Sequence, residues 1–303
     1  MINKHKYKNF TWVDLESPEH DEVRKIADEF SILPYTANDL LMPTLKPHVD
    51  VHSDYMYLVL HFPARKRTHL SDEQEVDFII GKDFLITAHY ETIDTFHKFA
   101  KIFDVNAELE HDHIGSSGID IFLILARHLY KSIENEIDQV HDDLEDIEEQ
   151  IFEGHEKEMV VALSNVGRDI LNFKEALDSH QDVLKSLLVT APEFSGDEYK
   201  YKVRALEDVY YRVLKHVTRL WQTLTELRET NNSLLSTKQN EVMKIFTILA
   251  FVTFPLSLIA GIFGMNTKYI PLVGLPHDFW IVVGVMLFAT ILMAIYFKKK
   301  DWM

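Results

Sequence analysis

No cysteine occurs anywhere in this chain. Disulfides, thiolate metal sites and a cysteine nucleophile are therefore excluded outright. Basic residues are outnumbered: 31 Lys and Arg stand against 48 Asp and Glu, a formal charge of −17 over 303 residues. A phosphate backbone wants a basic face, so this balance argues against nucleic acid as a partner. It suits cations, or simply a well-solvated surface. Phosphate-cradling loops are missing too, with no Gly-x-x-x-x-Gly-Lys and no Gly-x-Gly-x-x-Gly, so no nucleotide is expected. The 16 histidines invite a metal-enzyme reading. The tightest cluster, His111-Asp112-His113, lacks a third ligand at standard spacing and reads as an exposed loop. No nucleophile–base pair stands out, so neither an enzyme nor an organic cofactor is expected.

What the chain does have is two apolar stretches near its end, Ile245 to Phe263 and Phe279 to Phe297. Each runs about 19 residues without a charge, close to the roughly 20 that a helix needs to cross a bilayer. The Lys-bearing start, Met1 to Phe10, has no apolar core and does not read as a signal peptide. Lys238 and Lys244 precede the first span, Lys298-Lys299-Lys300 follow the second, and the connecting loop carries only Lys268. The positive-inside rule then puts both termini in the cytosol and the loop outside, in a multi-pass protein of the cell (inner) membrane.

Residues 1–118 read as a cytosolic α/β domain. Phe10 to Leu15 is a short strand. Ser17-Pro18-Glu19 supplies an N-cap, a proline and a first-turn acid for a helix ending near Phe30. A short helix follows around Tyr35 to Leu41. Tyr55 to Phe62, Glu75 to Ile80 and Phe84 to Ala88 are strands, the last two a hairpin across Gly81-Lys82-Asp83. Glu91 to Phe103 is a helix. Over residues 119–196 the texture changes to an acidic helical hairpin. Ile133, Ile137, Val140, Leu144, Ile147 and Ile151 recur at helical spacing, with acids such as Asp142 to Glu149 on the outer, solvated face. A break falls at Glu153-Gly154, and Ala191-Pro192 ends the second helix.

Residues 197–244 form a stalk helix running into a first span at 245–263. No proline precedes Pro255 and no glycine precedes Gly261 in this stretch. If helical throughout it is about 100 Å long, and a rod of that length with a near-heptad seam is expected to bundle with copies of itself. Pro255 is tolerable inside a membrane, where neighbouring helices satisfy the freed carbonyl. An outer loop at 264–278, a second span at 279–297 and a basic tail at 298–303 complete the chain.

One line of the long helix is mostly small or hydroxyl-bearing. Stepping back from Gly264 by three and four gives Gly261, Ser257, Phe254, Ala250, Thr247, Met243 and Asn240. Two readings are open. Small residues in membrane helices permit close packing. Alternatively the line faces a pore, polar rings alternating with apolar constrictions at Phe254 and Met243. Asn266, just past the span, is either a helix C-cap or, in a symmetric oligomer, a ring of amide carbonyls. Such a ring suits a cation that keeps its waters, as Mg²⁺ does.

Four segments carry a family likeness: Asn240-Glu241-Val242-Met243-Lys244, Pro255-Leu256, Ile259-Ala260-Gly261-Ile262-Phe263-Gly264-Met265-Asn266, and Tyr296-Phe297-Lys298-Lys299-Lys300. Together they resemble the CorA family of divalent metal ion transporters. Looser matches follow in the right order at Trp12-Val13-Asp14-Leu15, Pro47-His48-Val49, Tyr55-Met56-Tyr57-Leu58 and Phe84-Leu85-Ile86-Thr87. The resemblance implies an α+β membrane protein: a funnel-shaped homopentamer of cytosolic α/β/α domains whose stalk helices continue into the first of two C-terminal transmembrane helices. Gly264, Met265 and Asn266 match its signature at the outer pore mouth. Asn240, Met243, Ser257 and Gly261 match pore-lining positions, and Phe254 stands where Met is common. In Thr267-Lys268-Tyr269-Ile270-Pro271-Leu272 a lysine replaces the family's usual acid, which weakens cation concentration at the mouth.

The expected function is potential-driven influx of divalent cations, Mg²⁺ first and also Co²⁺ or Ni²⁺. The resemblance further implies closure by cytosolic Mg²⁺ bridging carboxylates between subunits. Glu207 and Asp208 are candidates by position, although ungapped counting puts Ala205 where a family regulatory Asp would sit. A Zn²⁺ transporter of the same superfamily is the nearest alternative. A non-conducting membrane-anchored scaffold is the alternative of another class.

Overall fold

A computed structural model of the chain describes residues 1–44, 46–65, 73–108, 117–266, 274 and 276–300. They form two compact units, Met1–Arg228 and Glu229–Met303.

The first unit is built on a six-stranded sheet: β1 (Ile2–Tyr7), β2 (Phe10–Glu16), β3 (His48–Val51), β4 (Tyr55–Pro63), β5 (Glu73–Gly81) and β6 (Phe84–His89). The order across it is β1-β2-β6-β5-β4-β3. Only β2 and β6 run parallel; the other neighbours are antiparallel. The helices are α1 (His20–Phe30), α2 (Pro34–Asp39), α3 (Asp94–Glu108), α4 (Gly118–Phe152), α5 (Glu156–Ser195), α6 (Tyr199–Phe263) and α7 (Asp278–Lys299).

Alternation along the strands sorts side chains to two covered faces. Val13, Leu15, Tyr55, Tyr57, Val59, Ile79 and Ile86 join Val23, Ile26, Ala37 and Leu40 of α1 and α2 in one core. The intervening residues pack on the other side. Trp12, wholly buried, meets Phe99 and Phe103 of α3 at 5.2 and 5.7 Å. Phe78 meets Phe122 of α4 at 5.1 Å, and Phe62 meets His180 of α5 at 5.1 Å. Each large side chain buried this way contributes about 1.5–3 kcal/mol. The result is an α/β/α sandwich.

The helical hairpin is clamped to the sheet through polar groups as well. Arg65, at the end of β4, is 5% exposed and pairs with Asp143 of α4 and Asp169 of α5. Its backbone N–H donates to Glu136 at 3.2 Å. Asp143 is therefore a structural anchor, while Asp142, Glu145, Asp146, Glu148 and Glu149 are exposed. At the start of α4, Asp120 accepts from Lys202 at 2.7 Å and from Tyr199 at 3.1 Å, joining it to α6. Burial raises its carboxyl pKa, but these bonds and that from Ser117 outweigh it and hold the group below the usual range. Gly118 beside it is obligatory: a Cβ there would overlap the carbonyl oxygens of Gly81 and Phe84.

Several local expectations are corrected. Ser17 does not cap α1; it sits at φ 45 and donates to the Tyr90 carbonyl, and Glu19 is the N-cap, its N–H donating to Glu22 at 3.1 Å. Pro192 does not end α5, which continues to Ser195. Gly196 at φ 112 closes it by donating to the Pro192 carbonyl at 2.9 Å. In the last turn proline forfeits a single backbone bond, and Ala191 beside it is buried. Helix α3 starts at Asp94 and not at Glu91. Strands β1 and β3 have no counterpart in the sequence reading, because both are polar sheet edges in which only Tyr7 is buried.

Candidate pore and metal sites

The second unit holds the C-terminal part of α6, the turn after it, and α7. Helix α6 has 65 residues, about 98 Å at 1.5 Å per residue, and passes unbroken through Pro255. Helices α6 and α7 are each long and apolar enough to cross a membrane, and none of the apolar window of either is buried within the chain. Soluble core helices of that composition are covered. These are not.

On α6 the half-buried positions Ile248, Val252, Leu256 and Ile259 recur along one side. The sequence-selected line lies elsewhere. Met243 is 63% and Phe254 74% exposed, and Asn240, Ser257 and Gly261 are exposed as well, with Thr247 and Ala250 intermediate. A Cβ on Gly261 would meet no atom within 4 Å, so close packing inside one chain does not account for the glycine. Thr247 donates its hydroxyl to the Met243 carbonyl at 2.7 Å, which leaves the oxygen lone pairs facing outward as acceptors. Ser257 makes no such bond among the described residues.

The helix ends at Phe263. Gly264 donates to Ala260 at 2.9 Å, and Met265 to Ile262 at 3.3 Å. A Cβ on Gly264 would press on the Ala260 carbonyl at 3.0 Å, so a side chain is disfavoured there. Asn266 is exposed, is not among the residues with positive φ, and makes no side-chain hydrogen bond among the described residues. It is therefore not acting as a left-handed cap, and its amide is free to meet a ligand or water. Lys268 and its neighbours 267–273 lie outside the described residues, as do His111-Asp112-His113.

In the first unit, Glu207 is half-buried, Asp208 exposed and Ala205 half-buried. Among the described residues no group of three or more His, Asp or Glu side chains is placed to hold a metal. Mg²⁺ takes six oxygen ligands, several of them waters. Glu207 and Asp208 on one chain do not furnish such a site without donors from another copy.

Buried polar clusters that the sequence reading missed lie in the sheet and between it and helices α4 and α5. Asp77 is 0% exposed, in contact with Tyr57 at 3.4 Å and Tyr90 at 3.3 Å. Burial first, then the neighbouring Glu75 carboxylate, raises its pKa well above the ordinary value. Glu75 accepts from the Thr44 backbone at 2.8 and 2.9 Å and from its hydroxyl at 3.1 Å, and faces His61 at 3.2 Å. Burial would lower the His61 pKa, but Glu75 and Glu73 raise it. Wholly buried His180 bridges the Tyr130 hydroxyl and the His61 carbonyl, each at 2.8 Å, and burial lowers its pKa to about 4. The only sequence signal was a carboxylate inside the apolar run Val76-Asp77-Phe78-Ile79.

Two uncovered apolar helices and an α/β/α domain in the same chain define a membrane-protein class, and comparison with known proteins narrows it. The profile of the family described as CorA-like Mg²⁺ transporter protein matches residues 7–299. The chain belongs to that family of transporters. It is 27% identical over 299 residues to the cobalt/magnesium transport protein CorA of Thermotoga maritima, covering 97% of this chain and 83% of that one. It is 23% identical to the magnesium transport protein CorA of Escherichia coli, covering 97% and 92%. The complete structure of the CorA magnesium transporter from Methanocaldococcus jannaschii superposes with a TM-score of 0.86 at 19% identity, covering 99% of this chain and 94% of that one. The expected fold is borne out: N-terminal α/β domain, long helix and C-terminal apolar helix.

Proposed function

We propose that the chain assembles as a homopentamer in the cell membrane, termini in the cytosol, and conducts divalent cations inward, Mg²⁺ first and also Co²⁺ or Ni²⁺. The observation that carries this is the line from Asn240 to Gly261, exposed except at half-buried Thr247 and Ala250, which leads to an Asn266 without a side-chain bond among the described residues; at Gly261 packing within one chain does not explain it. Around a common axis, Gly264, Met265 and Asn266 form the outer mouth. Neutral amide oxygens accept hydrogen bonds from the cation's waters without stripping them. Inward of the mouth, Ser257 and Thr247 supply hydroxyl acceptors, Gly261 and Ala250 width, and Phe254 and Met243 apolar constrictions. The membrane potential supplies about 2.3 kcal/mol per charge per 100 mV, so about 4.6 kcal/mol for a divalent ion, and no nucleotide is needed.

Cytosolic Mg²⁺ closes the assembly by bridging carboxylates of neighbouring copies, with Glu207 and Asp208 as candidates. Repulsion between those acids loosens it when the ion leaves. The test is uptake into liposomes containing the purified protein, with Mg²⁺, Co²⁺, Ni²⁺ and Zn²⁺ in turn, at fixed potential with and without a pH gradient. Potential-driven Mg²⁺ uptake supports the reading. Uptake of Zn²⁺ alone, requiring the pH gradient, favours a zinc transporter. Vesicles impermeable to every metal leave a scaffold.

A further inference from the structure

Within the second unit, α6 and α7 do not close on each other along their whole length. Phe251 of α6 contacts Phe297 of α7, ring centroids 6.3 Å apart, and Phe297 is 5% exposed. Beside that contact a groove of about 640 Å³ opens between Phe251 and the last turns of α7, lined also by Leu292, Ile295, Tyr296, Lys299 and Lys300. That volume falls within the roughly 300–1,000 Å³ typical of ligand pockets. The groove is apolar at one end and doubly cationic at the other. Lys298, the neighbouring base, does not line it.

We infer that this groove binds one anionic phospholipid of the cytosolic leaflet. An acyl chain lies against Phe251, Leu292 and Ile295, and the phosphate meets Lys299 and Lys300, with Tyr296 at the headgroup level. The polarity gradient is what selects this occupant. A second apolar helix would leave two ammonium groups facing it unpaired, at a heavy desolvation cost. A zwitterionic lipid would fill the groove but leave the lysines uncompensated. Aromatic and basic residues at the end of a span are where headgroups sit. Basic residues close to an anionic leaflet each strengthen binding about fivefold, so the pair contributes on the order of thirtyfold. The inference rests on the membrane reading of α6 and α7, not on transport, and is tested without transport.

Full-length protein in detergent is titrated with phosphatidylglycerol or phosphatidylcholine, bound lipid being counted by native mass spectrometry. Phosphatidylglycerol is expected to bind about thirtyfold tighter. Lys299→Gln and Lys300→Gln each reduce that preference about fivefold, and Lys298→Gln, the same charge change outside the groove, leaves it nearly unaltered. Leu292→Trp, which fills the apolar end, weakens both lipids while the basic end remains. Glycerol 3-phosphate does not compete, because the chain is required. Because the protein has no cysteine, Leu292→Cys carries a single photo-crosslinker, which is expected to capture lipid. Equal binding of the two lipids, equal losses at all three lysines, full competition by glycerol 3-phosphate, or crosslinking of a second copy in place of lipid would each overturn the inference.

Discussion

Replacing Asp77 by Asn removes a proton that the fold holds in place. Asp77 is 0% exposed, has no cation among its described partners, and lies against the Glu75 carboxylate that Thr44 occupies through three hydrogen bonds. Hydroxyl bonds from Tyr57 and Tyr90 favour the charged form, but burial and Glu75 outweigh them and raise the carboxyl's pKa well above its ordinary value. A carboxyl whose folded pKa is raised contributes fully below its unfolded pKa of about 3.9, and that contribution is lost as pH rises towards the folded value. Across the window, wild type loses up to about 1.4 kcal/mol per pH unit relative to a chain lacking the group. Asn is neutral at every pH and keeps both a donor and an acceptor. His61, whose pKa is also raised, titrates in both proteins and largely cancels. For a domain of this size 1 kcal/mol corresponds to about 2–4 °C, so Asp77→Asn gains about 3–6 °C per pH unit over wild type. Melting curves of both full-length proteins, followed by far-UV circular dichroism from about pH 5 to about pH 8, measure this. Parallel curves would refute the reasoning, since they require an Asp77 already ionised in the folded state.

His180 gives the opposite sign: its pKa falls to about 4, so its contribution is intact above about 6.5 and drains as pH falls towards 4. His180→Gln is expected to flatten wild type's acid-side melting curve over that range. Gly118→Ala drives a methyl into two backbone carbonyls that no rotamer change relieves, and costs at least about 1–3 kcal/mol, read as a lower melting temperature. Gly261→Ala, where a Cβ meets nothing in the chain, leaves the melt of the first unit unchanged but lowers metal uptake if the line borders a pore. Asn266→Ala is expected to abolish uptake while leaving the protein's expression and melting unaltered, because Asn266 makes no side-chain bond among the described residues. Phe254→Met preserves an apolar constriction, so near-normal uptake is expected in the same liposome assay.

The membrane-proximal half was legible because apolar length is a one-dimensional property. A count of uncharged residues located both spans, and the glycine-free, proline-poor run foretold a single α6. The central strands were legible because β4 and residues 76–80 of β5, buried on both faces, are rich in aromatic and branched residues. The edges were not. Ile2–Tyr7 carries two lysines and a histidine and pairs through its backbone with Phe10–Glu16, which composition does not encode. Likewise Pro192 looks like a helix stop in one dimension, whereas its place in a final turn closed by Gly196 is a fact of three. For the candidate site, the line of small and polar residues was legible, and the structure adds that all of it but half-buried Thr247 and Ala250 is exposed within one chain. The long-range polar clusters escaped altogether: Asp77 with Tyr57 and Tyr90, and His180 with Tyr130 and the His61 carbonyl, bring together residues with no local signature.

The two units satisfy their polar groups in different ways, and that difference bears on assembly. In the first unit His180 is doubly bonded, and Arg65 holds two carboxylates at 5% exposure. In the second, Thr247, Thr253 and Thr290 turn their hydroxyls back to carbonyls four residues earlier. That is the usual way a hydroxyl survives in lipid. Ser257 and Asn266 do not follow that rule; both keep free donors and acceptors among the described residues. A hydroxyl left unpaired in hydrocarbon, as that of Ser257 would be in a lone span, costs several kcal/mol, whereas Asn266 lies past the end of the helix. One chain alone would meet that cost with nothing in return. Several copies arranged with this line inward place both groups on water, and turn the apolar Ile248, Val252 and Leu256 side towards helices or lipid. The same arrangement gives every copy's Asn266 a place on one ring, which is the geometry a hydrated cation requires. Ser257, unbonded among the described residues, thus favours association over a lone anchor on energetic grounds that do not depend on the ion.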